Sequence, residues 1–363
     1  MNKPRSLYIH IPFCSHICHY CDFVKLFYNN KFSEPCLKAL FAEIDSYHID
    51  KVDTIYIGGG TPTSLSDEEF TSLLDKVKDF LTPNGEFTVE ANVENLTKEK
   101  LEIMKSRGVN RLSIGVESTN DGILKAIGRY HTYEEAVKVV KLAKQYISNI
   151  NVDLIYGFPH QSEEDLRKDI KNILSLDVDH ISIYSLIVSE CTKFYKDGVK
   201  EQDQDESRKF YDIILKELRE NGYERYEISN YARNGKYSRH NLVYWHNQEY
   251  YGVGLGASGY IAGARYTNTK SLKQYLEGNC VDIKETLSKD ELLEEYLLCH
   301  FRLEKGFAKN DFKNRFDQEF TEVFRGKIDS LIERKLLIIG KENVRLSDDG
   351  MAIMDNVIVS LLG

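Results

Sequence analysis

The sequence predicts an α/β protein in which six parallel β-strands joined by helices precede a small, separate helical domain. Two observations support this class. Short apolar runs alternate with amphipathic helical patterns over the first half of the chain, as in β-strands joined by helical crossovers. From about Ser288 onwards the pattern changes to successive amphipathic helices. Hydrophobic periodicity alone leaves open whether the strands form an open doubly wound sheet or a complete or partial barrel.

The predicted elements of the first half follow in regular order. We predict strands at Leu7–Ile11, Thr54–Ile57, Phe87–Glu90, Arg111–Ile114, Asn151–Ile155 and His180–Leu186, each short and mostly apolar, as expected when both faces are covered. We predict helices at Pro35–Tyr47, Asp67–Phe80, Lys98–Arg107, Tyr133–Tyr146 and Glu163–Leu174. Ser66, Thr97, Thr132 and Ser162 are expected to cap four of these helices, because a hydroxyl before the first turn accepts an otherwise unpaired backbone N–H.

The second half is less regular. The charged segment Lys196–Asp205 predicts an exposed connection, and a helix is expected over Glu206–Glu220. The stretch Tyr226–Gly263 is dense in Tyr, Gly, Asn and Ser and is interpreted as strands and loops. Towards the end, two short apolar segments, Leu336–Ile339 and Asn343–Leu346, precede a helix from Asp348. We therefore divide the chain into a core at 1–225, a connecting region at 226–285 and a C-terminal domain at 286–363.

Composition excludes several classes of function. The formal net charge is -9 and the basic residues do not cluster, so no nucleic-acid partner is expected. No apolar stretch of signal-peptide length begins the chain, and no apolar run is long enough to predict a membrane span. The seven cysteines are odd in number and mostly scattered, unlike a disulfide framework. These observations favour a reducing cytoplasm.

Three of the cysteines form a motif with the spacing Cys-x3-Cys-x2-Cys, at Cys14, Cys18 and Cys21. Thiolates suit soft metals and iron–sulfur clusters. Three ligands leave one iron of a [4Fe-4S] cube open to a small molecule. Zinc is the alternative, because Cys3His sites are common and histidines lie nearby. These histidines are His10, His16 and His19.

This segment, which follows the first predicted strand, resembles the signature of the radical S-adenosylmethionine superfamily, and Tyr20 before the third cysteine also fits. The resemblance implies a partial (β/α)6 barrel, a [4Fe-4S] cluster on the three cysteines and S-adenosylmethionine at the open iron. In that family, a reduced cluster cleaves the sulfonium to methionine and a 5′-deoxyadenosyl radical. The segment Glu291–Leu362 resembles the small winged-helix-like domain of the same family, for which we expect a covering or docking role.

Polar residues near the carboxyl ends of successive strands predict the nucleotide contacts, because such ends line one mouth of a barrel. The resemblance assigns S-adenosylmethionine to Tyr8, Tyr20, Gly59, Gly60, Thr61, Glu90, Glu117, Arg129, Asp153 and Ile187. Of these, Arg129 can pair with a carboxylate, and Ile187 is expected to pack on the adenine. Glu117 stands where this branch of the family usually has glutamine, which removes an amide donor and adds a possible charge.

The resemblance extends to the branch that contains oxygen-independent coproporphyrinogen III oxidases and heme chaperones. The oxidases carry a fourth cysteine two residues after the third, whereas this chain has Phe23. The chaperones carry the motif His-Asn-x-x-Tyr-Trp, which is present here as His240–Trp245. The sequence therefore favours a heme chaperone over an oxidase that decarboxylates porphyrinogen propionates. A zinc-stabilised binding protein is the third hypothesis.

A heme chaperone implies heme as cargo and an acceptor protein as partner. His240 is the expected axial ligand, with Tyr244 and Trp245 flanking the porphyrin, and His246 is the rival ligand. The alternative is that His240 belongs to a local hydrogen-bond network and that Trp245 is part of the core. Reduction of the cluster implies an electron donor such as flavodoxin or ferredoxin. Whether the protein is an enzyme stays open at this point.

Overall fold

The computed structural model describes residues 3–363 and contains four β-sheets surrounded by helices. In chain order the strands are β1 (Ser6–Ile11), β2 (Phe13–Cys14), β3 (Leu26–Phe27), β4 (Val52–Gly59), β5 (Leu81–Asn92), β6 (Arg111–Glu117), β7 (Asn149–Tyr156), β8 (His180–Ser185), β9 (Glu224–Arg225), β10 (Asn230–Ala232), β11 (Tyr251–Val253), β12 (Ser258–Ile261), β13 (Ala264–Asn268), β14 (Val281–Thr286), β15 (Phe307–Ala308), β16 (Leu337–Ile339) and β17 (Asn343–Leu346).

The α-helices fill the connections between these strands. They are α1 (Asn30–Ser46), α2 (Asp67–Val77), α3 (Lys98–Ser106), α4 (Asp121–Ala126), α5 (Tyr133–Ala143), α6 (Glu163–Ser175), α7 (Lys193–Lys196), α8 (Gln204–Glu220), α9 (Arg239–Trp245), α10 (Leu272–Leu276), α11 (Lys289–His300), α12 (Lys309–Phe316), α13 (Phe320–Val323), α14 (Ile328–Glu333), α15 (Asp348–Ala352) and α16 (Met354–Leu362). Among the described residues, no helix has the length and apolar character needed to cross a membrane.

The largest sheet has nine strands in the order β11-β1-β4-β5-β6-β7-β8-β10-β9. Six strands, β1 and β4 to β8, run parallel and follow one another in sequence order. A doubly wound sheet would change direction along its strand order, so this arrangement is the singly wound, barrel type. The two end strands, β11 and β9, do not pair with each other, and the barrel is therefore partial. The predicted fold class is confirmed.

The two faces of the parallel strands differ in character. Leu7, Ile55 and Phe87 represent the helix-facing side, which joins the helices in one buried apolar core. The alternate residues form polar rows across the barrel interior. One row pairs Tyr8, Tyr56, Thr88 and Arg111 in register, and the next pairs Glu90, Ser113, Asn151 and His180. The expectation of strands that are apolar on both faces is therefore wrong for the inner face, where polar groups are concentrated.

Most element predictions agree with the structure because local chemistry decides them. The predicted caps Ser66, Thr97, Thr132 and Ser162 each accept a backbone N–H at the start of their helices, three of them as full capping boxes. The predicted start of α1, at Pro35, lies five residues after the observed start at Asn30. The Asn29 side chain accepts the Lys31 N–H at 3.0 Å, so the helix begins a turn before Pro35. The prediction began the helix at Pro35 because proline is common in the first turn of a helix.

The segment interpreted as strands and loops, Tyr226–Gly263, contains a helix that sequence reasoning missed. Helix α9 spans Arg239–Trp245 and begins at Ser238, whose hydroxyl accepts the Asn241 N–H. Its buried face is formed by His240 and Val243, three residues apart. Seven residues are too few to show a helical period among the surrounding aromatic residues.

The last part of the chain has its own hydrophobic core. Residues from Tyr296 to Leu361 form a buried apolar cluster separate from the barrel core. Strands β15, β17 and β16 form its antiparallel sheet, and β17 spans the predicted segment Asn343–Leu346. Ion pairs attach this part to the barrel, because Arg225 pairs with both Glu304 and Asp348.

A buried carboxylate connects α1 to the strands that follow α9. Glu43 is only 6% exposed and accepts three hydrogen bonds. The donors are the Gly254 N–H at 2.9 Å, the Asn268 Nδ2 at 2.6 Å and the Tyr275 hydroxyl at 2.6 Å. Burial raises the pKa of Glu43, although the three donors oppose this shift. Four segments distant in sequence therefore meet at one side chain.

We predict that Glu43→Ala destabilises the protein by about 2–4 kcal/mol, because three buried donors lose their acceptor. Urea unfolding followed by circular dichroism measures this free energy. Glu34→Ala is the matched control, since Glu34 lies on the same helix and is paired only with Lys38 at the surface. We expect that control to shift stability by about 0.5 kcal/mol or less. Equal effects of the two substitutions would contradict the role assigned to Glu43.

Candidate functional site

The cysteine motif lies on a loop that leaves β1 and is closed at its base. Strand β2 pairs in parallel with β3, bringing Cys14 opposite Phe27. The Tyr28 N–H donates to the Cys14 carbonyl at 2.9 Å. The residues between β2 and β3 form a loop that carries Cys18 and Cys21. A loop fixed at both ends can present three thiols to one metal cluster.

The environment of the three thiols favours the neutral form when no metal is bound. Burial raises the pKa of Cys14, of Cys18 and of Cys21, the last to about 12. Cys14 accepts a hydrogen bond from the Thr61 hydroxyl at 3.4 Å, and Arg129 lies near enough to oppose the shift at Cys14 and Cys18. Iron binding would therefore release protons from these thiols.

The chemistry of the donor set fits an iron–sulfur cluster. Thiolates are the ligands of such clusters, and a cubane distributes them over separate irons, so three cysteines hold three corners. Cys18 and Cys21 are partly exposed, and Cys14 is buried. Three thiols on one loop thus fit a [4Fe-4S] cluster with one corner not held by cysteine.

The glycine turn at the end of β4, Gly58–Gly60, lies against neighbouring groups that a side chain would displace. Gly59 has φ +104°, and a Cβ there would come within 2.4 Å of the His10 ring. A Cβ at Gly58 would come within 2.6 Å of the Glu90 carboxylate. The Gly59 N–H donates to Glu90 Oε2 at 3.0 Å. Only glycine leaves the backbone accessible beside the cysteine loop.

Burial raises the pKa of two carboxyl groups on the inner face of the barrel. Glu90 accepts the Tyr56 hydroxyl at 2.6 Å, and burial followed by the charge of Asp153 raises the pKa of Glu90 to about 7. Asp153 accepts from Ser113 Oγ at 2.9 Å and from Asn151 Nδ2 at 2.7 Å. Burial and the charge of Glu117 raise the pKa of Asp153 to about 6. A bound cation would favour the ionised form of both groups.

Glu117 and Arg129 form an ion pair within the site. The Arg129 guanidinium donates to Glu117 Oε1, and both side chains are at least nine-tenths buried. Glu117 has φ +68°, a strained conformation for a non-glycine residue at the end of a strand. Arg129 also lies 3.4 Å from the Tyr20 hydroxyl. In this structure the carboxylate that pairs with Arg129 therefore comes from the protein itself.

The structure brings most of the predicted nucleotide contacts to one mouth of the barrel. Arg129 forms ion pairs with Glu117 and Glu94. Asp153 lies near enough to Glu117 and to Glu90 for their charges to influence one another. Gly59, Gly60, Thr61, Tyr8 and Tyr20 border these charged groups. Ile187 lies just beyond the end of β8 and is 67% exposed, and its packing on the adenine stays a prediction.

The predicted heme residues do not share one surface. His240 is fully buried, and both ring nitrogens are hydrogen-bonded, Nδ1 to Thr54 Oγ1 and Nε2 to the Tyr244 hydroxyl, each at 2.8 Å. Burial lowers the pKa of His240 to about 3. Trp245 packs under Arg302, whose guanidinium carbon lies 5.1 Å from the indole ring. His246 is exposed, and its ring lies 6.1 Å from that of His300.

Sequence reasoning missed three residues that support this mouth. Tyr56 donates to Glu90, and its alternation with the apolar Ile55 and Ile57 was a usable signal in the sequence. Glu94 and His131 form a pair beneath Arg129, with Oε1 and Nδ1 3.4 Å apart. Although burial opposes ionisation, the nearby imidazole of His131 and the charge of Arg129 lower the pKa of Glu94 to about 2. No sequence pattern joins Glu94 to His131.

Comparison with known proteins shows the family of this chain. The model of the Radical SAM superfamily matches residues 8–173, and the model of the HemN C-terminal domain matches residues 287–353. The heme chaperone HemW of Lactococcus lactis is 38% identical, covering 100% of this chain and 98% of the relative. The heme chaperone HemW of Bacillus subtilis is 37% identical, covering 99% of each chain.

A solved structure shows the same fold. Coproporphyrinogen III oxidase (HemN) from Escherichia coli, a radical SAM enzyme, superposes with a TM-score of 0.85 at 21% identity, covering 99% of this chain and 90% of that one. At this identity the likeness concerns the architecture. The fold alone therefore does not separate chaperone from oxidase chemistry.

We predict that the affinity for S-adenosylmethionine, a sulfonium cation, rises with pH. With the pKa of Glu90 near 7 in the unliganded protein, the carboxyl is mostly neutral at about pH 6 and mostly ionised at about pH 8, so the Kd should fall by up to about tenfold over that interval. Calorimetric titration of cluster-loaded protein measures this. Glu90→Gln should flatten the upper part of the profile. A wild-type Kd that is constant over this interval would refute the assignment of Glu90.

We also predict that Glu117→Gln tightens binding of S-adenosylmethionine by about three- to tenfold, because the ligand carboxylate no longer competes with Glu117 for Arg129. The same titration measures the effect. Glu164→Gln, on the exposed face of α6, is the control for loss of one negative charge. Weaker binding by Glu117→Gln would show that Glu117 itself holds the ligand.

Proposed function

This chain belongs to the radical SAM superfamily, in the branch of the HemW heme chaperones, and from that premise we propose that it binds heme and passes it to an acceptor protein. Full-length similarity carries the proposal, since 38% identity extends over the whole chain to a relative named as a heme chaperone. At the residue level, Phe23 supports it, because the oxidases of this branch have a cysteine at that position.

The cofactors of the family are a [4Fe-4S] cluster and S-adenosylmethionine, and together they supply reductive cleavage of the sulfonium when bound. The thiols of Cys14, Cys18 and Cys21 would hold the cluster. Glu90 and Asp153 balance positive charge and accept hydrogen bonds from the ligand.

The charge around the mouth favours a cationic ligand over an anionic one. Four carboxyl groups, Glu90, Glu94, Glu117 and Asp153, share this region with two guanidinium groups. Arg129 pairs with Glu94 and Glu117, and the charge of Arg111 acts on Glu90. Once the two titrating carboxyls ionise, acidic groups exceed basic groups at this site. Such an environment attracts a sulfonium and repels the carboxylates of an uncomplexed porphyrinogen. We therefore place heme outside the S-adenosylmethionine mouth.

The second candidate function is oxidative decarboxylation of porphyrinogen propionates. It is favoured by the shared architecture with the Escherichia coli oxidase. The acidic mouth and Phe23 count against it. For either function, a reduced cluster requires an electron donor such as flavodoxin or ferredoxin, and we propose a donor of this class as a partner. We propose that the protein that accepts the heme is a hemoprotein.

We predict that the cluster-loaded protein takes up heme, transfers it to an apo-hemoprotein and forms no vinyl product from coproporphyrinogen III under reducing, oxygen-free conditions with S-adenosylmethionine. Absorption spectra follow heme transfer, and chromatography of oxidised porphyrins detects vinyl groups. Cys18→Ser should lose the iron–sulfur absorption, whereas Cys191→Ser, an exposed cysteine outside the motif, should retain it. Vinyl formation at a catalytic rate would replace the chaperone proposal with the oxidase.

A further inference from the structure

We propose that heme docks in the cavity between the cysteine loop and the small sheet β12–β14, against Phe23 and the tyrosines Tyr8, Tyr244 and Tyr250, and that His240 positions Tyr244 instead of ligating the iron. This inference rests on the proposed function and specifies where the cargo binds. It departs from the sequence expectation that His240 is the axial ligand, because the structure leaves neither nitrogen of that side chain available.

The cavity has the size and the position for such a ligand. Its volume is about 590 Å³, within the range of small-molecule sites in proteins. Asp22, Phe23 and Val24, which line it, follow Cys21 directly in sequence. The opposite contributions come from β1, from α9 and from the sheet β12–β14. A ligand in this cavity would therefore lie next to the cluster loop, with Tyr8 as the side chain that the cavity shares with the acidic mouth.

The walls of the cavity suit a flat, apolar ring system. Phe23 is 61% exposed and Ile283 is 50% exposed, although both are large apolar side chains. Exposed apolar groups that border one cavity mark a ligand surface. Tyr244 and Tyr250 add two aromatic rings whose centres lie 4.6 Å apart. Aromatic rings bury large areas against a porphyrin with little loss of conformational entropy.

The charges around the cavity indicate how the propionates would be oriented. Lys270 is the one cationic side chain among the described residues that line it, and it is exposed. Two acidic residues, Asp22 and Asp282, also line the cavity. Carboxylates of a bound heme would be attracted to Lys270 and repelled by the two aspartates. The cavity is thus polarised, with one end favourable for propionates.

The two histidines nearest the cavity are already committed to internal hydrogen bonds. His10 Nδ1 lies 3.0 Å from the Tyr8 hydroxyl, and His10 Nε2 lies 2.8 Å from the Val24 carbonyl oxygen. His240 joins Thr54 to the Tyr244 hydroxyl in the same way. Each histidine therefore fixes the orientation of a tyrosine that lines the cavity. Heme would be held by its faces and its propionates, without a strong histidine bond to be broken at transfer.

The first test uses full-length, cluster-loaded protein titrated with hemin, followed by the Soret band and by quenching of Trp245, the only tryptophan of the chain. We expect Lys270→Glu to raise the Kd at least about fivefold, and Lys273→Glu, the same charge change three residues away on α10, to change it less than about twofold. Phe23→Ala and the cavity-filling Ser258→Trp should also weaken binding by about fivefold or more. Iron and sulfide content confirms that the cluster is retained.

The second test concerns His240. We expect His240→Gln to lower heme affinity while leaving the electron paramagnetic resonance and Raman signatures of the bound ferric heme unchanged, since a positioning residue does not touch the iron. If that variant does not fold, Tyr244→Phe removes the positioned hydroxyl and should behave in the same way. Loss of a histidine-ligated signature in His240→Gln, at a retained melting temperature, would overturn the positioning role.

The outcomes separate this inference from the proposed function. If wild-type protein takes up no heme, the chaperone function itself fails. If it takes up heme but Lys270→Glu, Phe23→Ala and Ser258→Trp bind as tightly as wild type, the cavity is wrong and the chaperone function stands. Weakening by the three cavity variants, together with a near-normal Lys273→Glu control, supports the cavity.

Discussion

The site depends on keeping ionisable groups out of water on the inner face of an open sheet. Burial shifts the pKa of Glu90 and of Asp153 upwards to about 7 and about 6, and it forces Arg129 into an ion pair with Glu117. A folded protein bears the cost of such groups only where a ligand or a partner compensates them. The unliganded mouth is therefore poised for a positive charge, and the ligand completes an electrostatic arrangement that the strands have already built.

The open form of the barrel gives this protein two separate places for two ligands. Parallel strands bring their carboxyl ends to one mouth, where the cysteine loop and the glycine turn lie. Because β11 and β9 do not pair with each other, the sheet has an open edge beyond β1, where β11 continues into β12–β14. Helix α9 lies against the start of β4 and against β5, through Thr54 and Glu86. The cavity bordered by Phe23 and Tyr244 lies between β1, α9 and β12–β14. A closed barrel would have no comparable edge at which a second site could border the same loop.

Sequence reasoning succeeded where local chemistry decides the structure. Ser66 and Thr132 cap helices through hydrogen bonds to residues three positions away, and the cysteine spacing defines one loop. It failed where partners are distant in sequence. The sequence around Arg129 does not indicate that Glu117 is its partner. The sequence around His240 does not indicate that Thr54 is hydrogen-bonded to one of its ring nitrogens. The short helix α9 is too short to show a helical period. The polar character of the inner strand face was visible in the alternation of Tyr8, His10 and Tyr56, but an assumption of two apolar faces concealed it.

A chaperone must hold its cargo in the correct place and also let it go, and the two sites of this chain differ in just that respect. The three thiols of the closed loop would hold a cluster through covalent metal–sulfur bonds, which suits a resident cofactor. The neighbouring cavity presents aromatic surfaces and one lysine. The ring nitrogens of His10 are hydrogen-bonded to Tyr8 and Val24, and those of His240 to Thr54 and Tyr244. A histidine bond to iron would add strength that each transfer has to overcome, and dissociation rates respond steeply to such contacts. Because the ring nitrogens of His10 and His240 do not bind the heme iron, heme can dissociate while the iron–sulfur cluster remains bound.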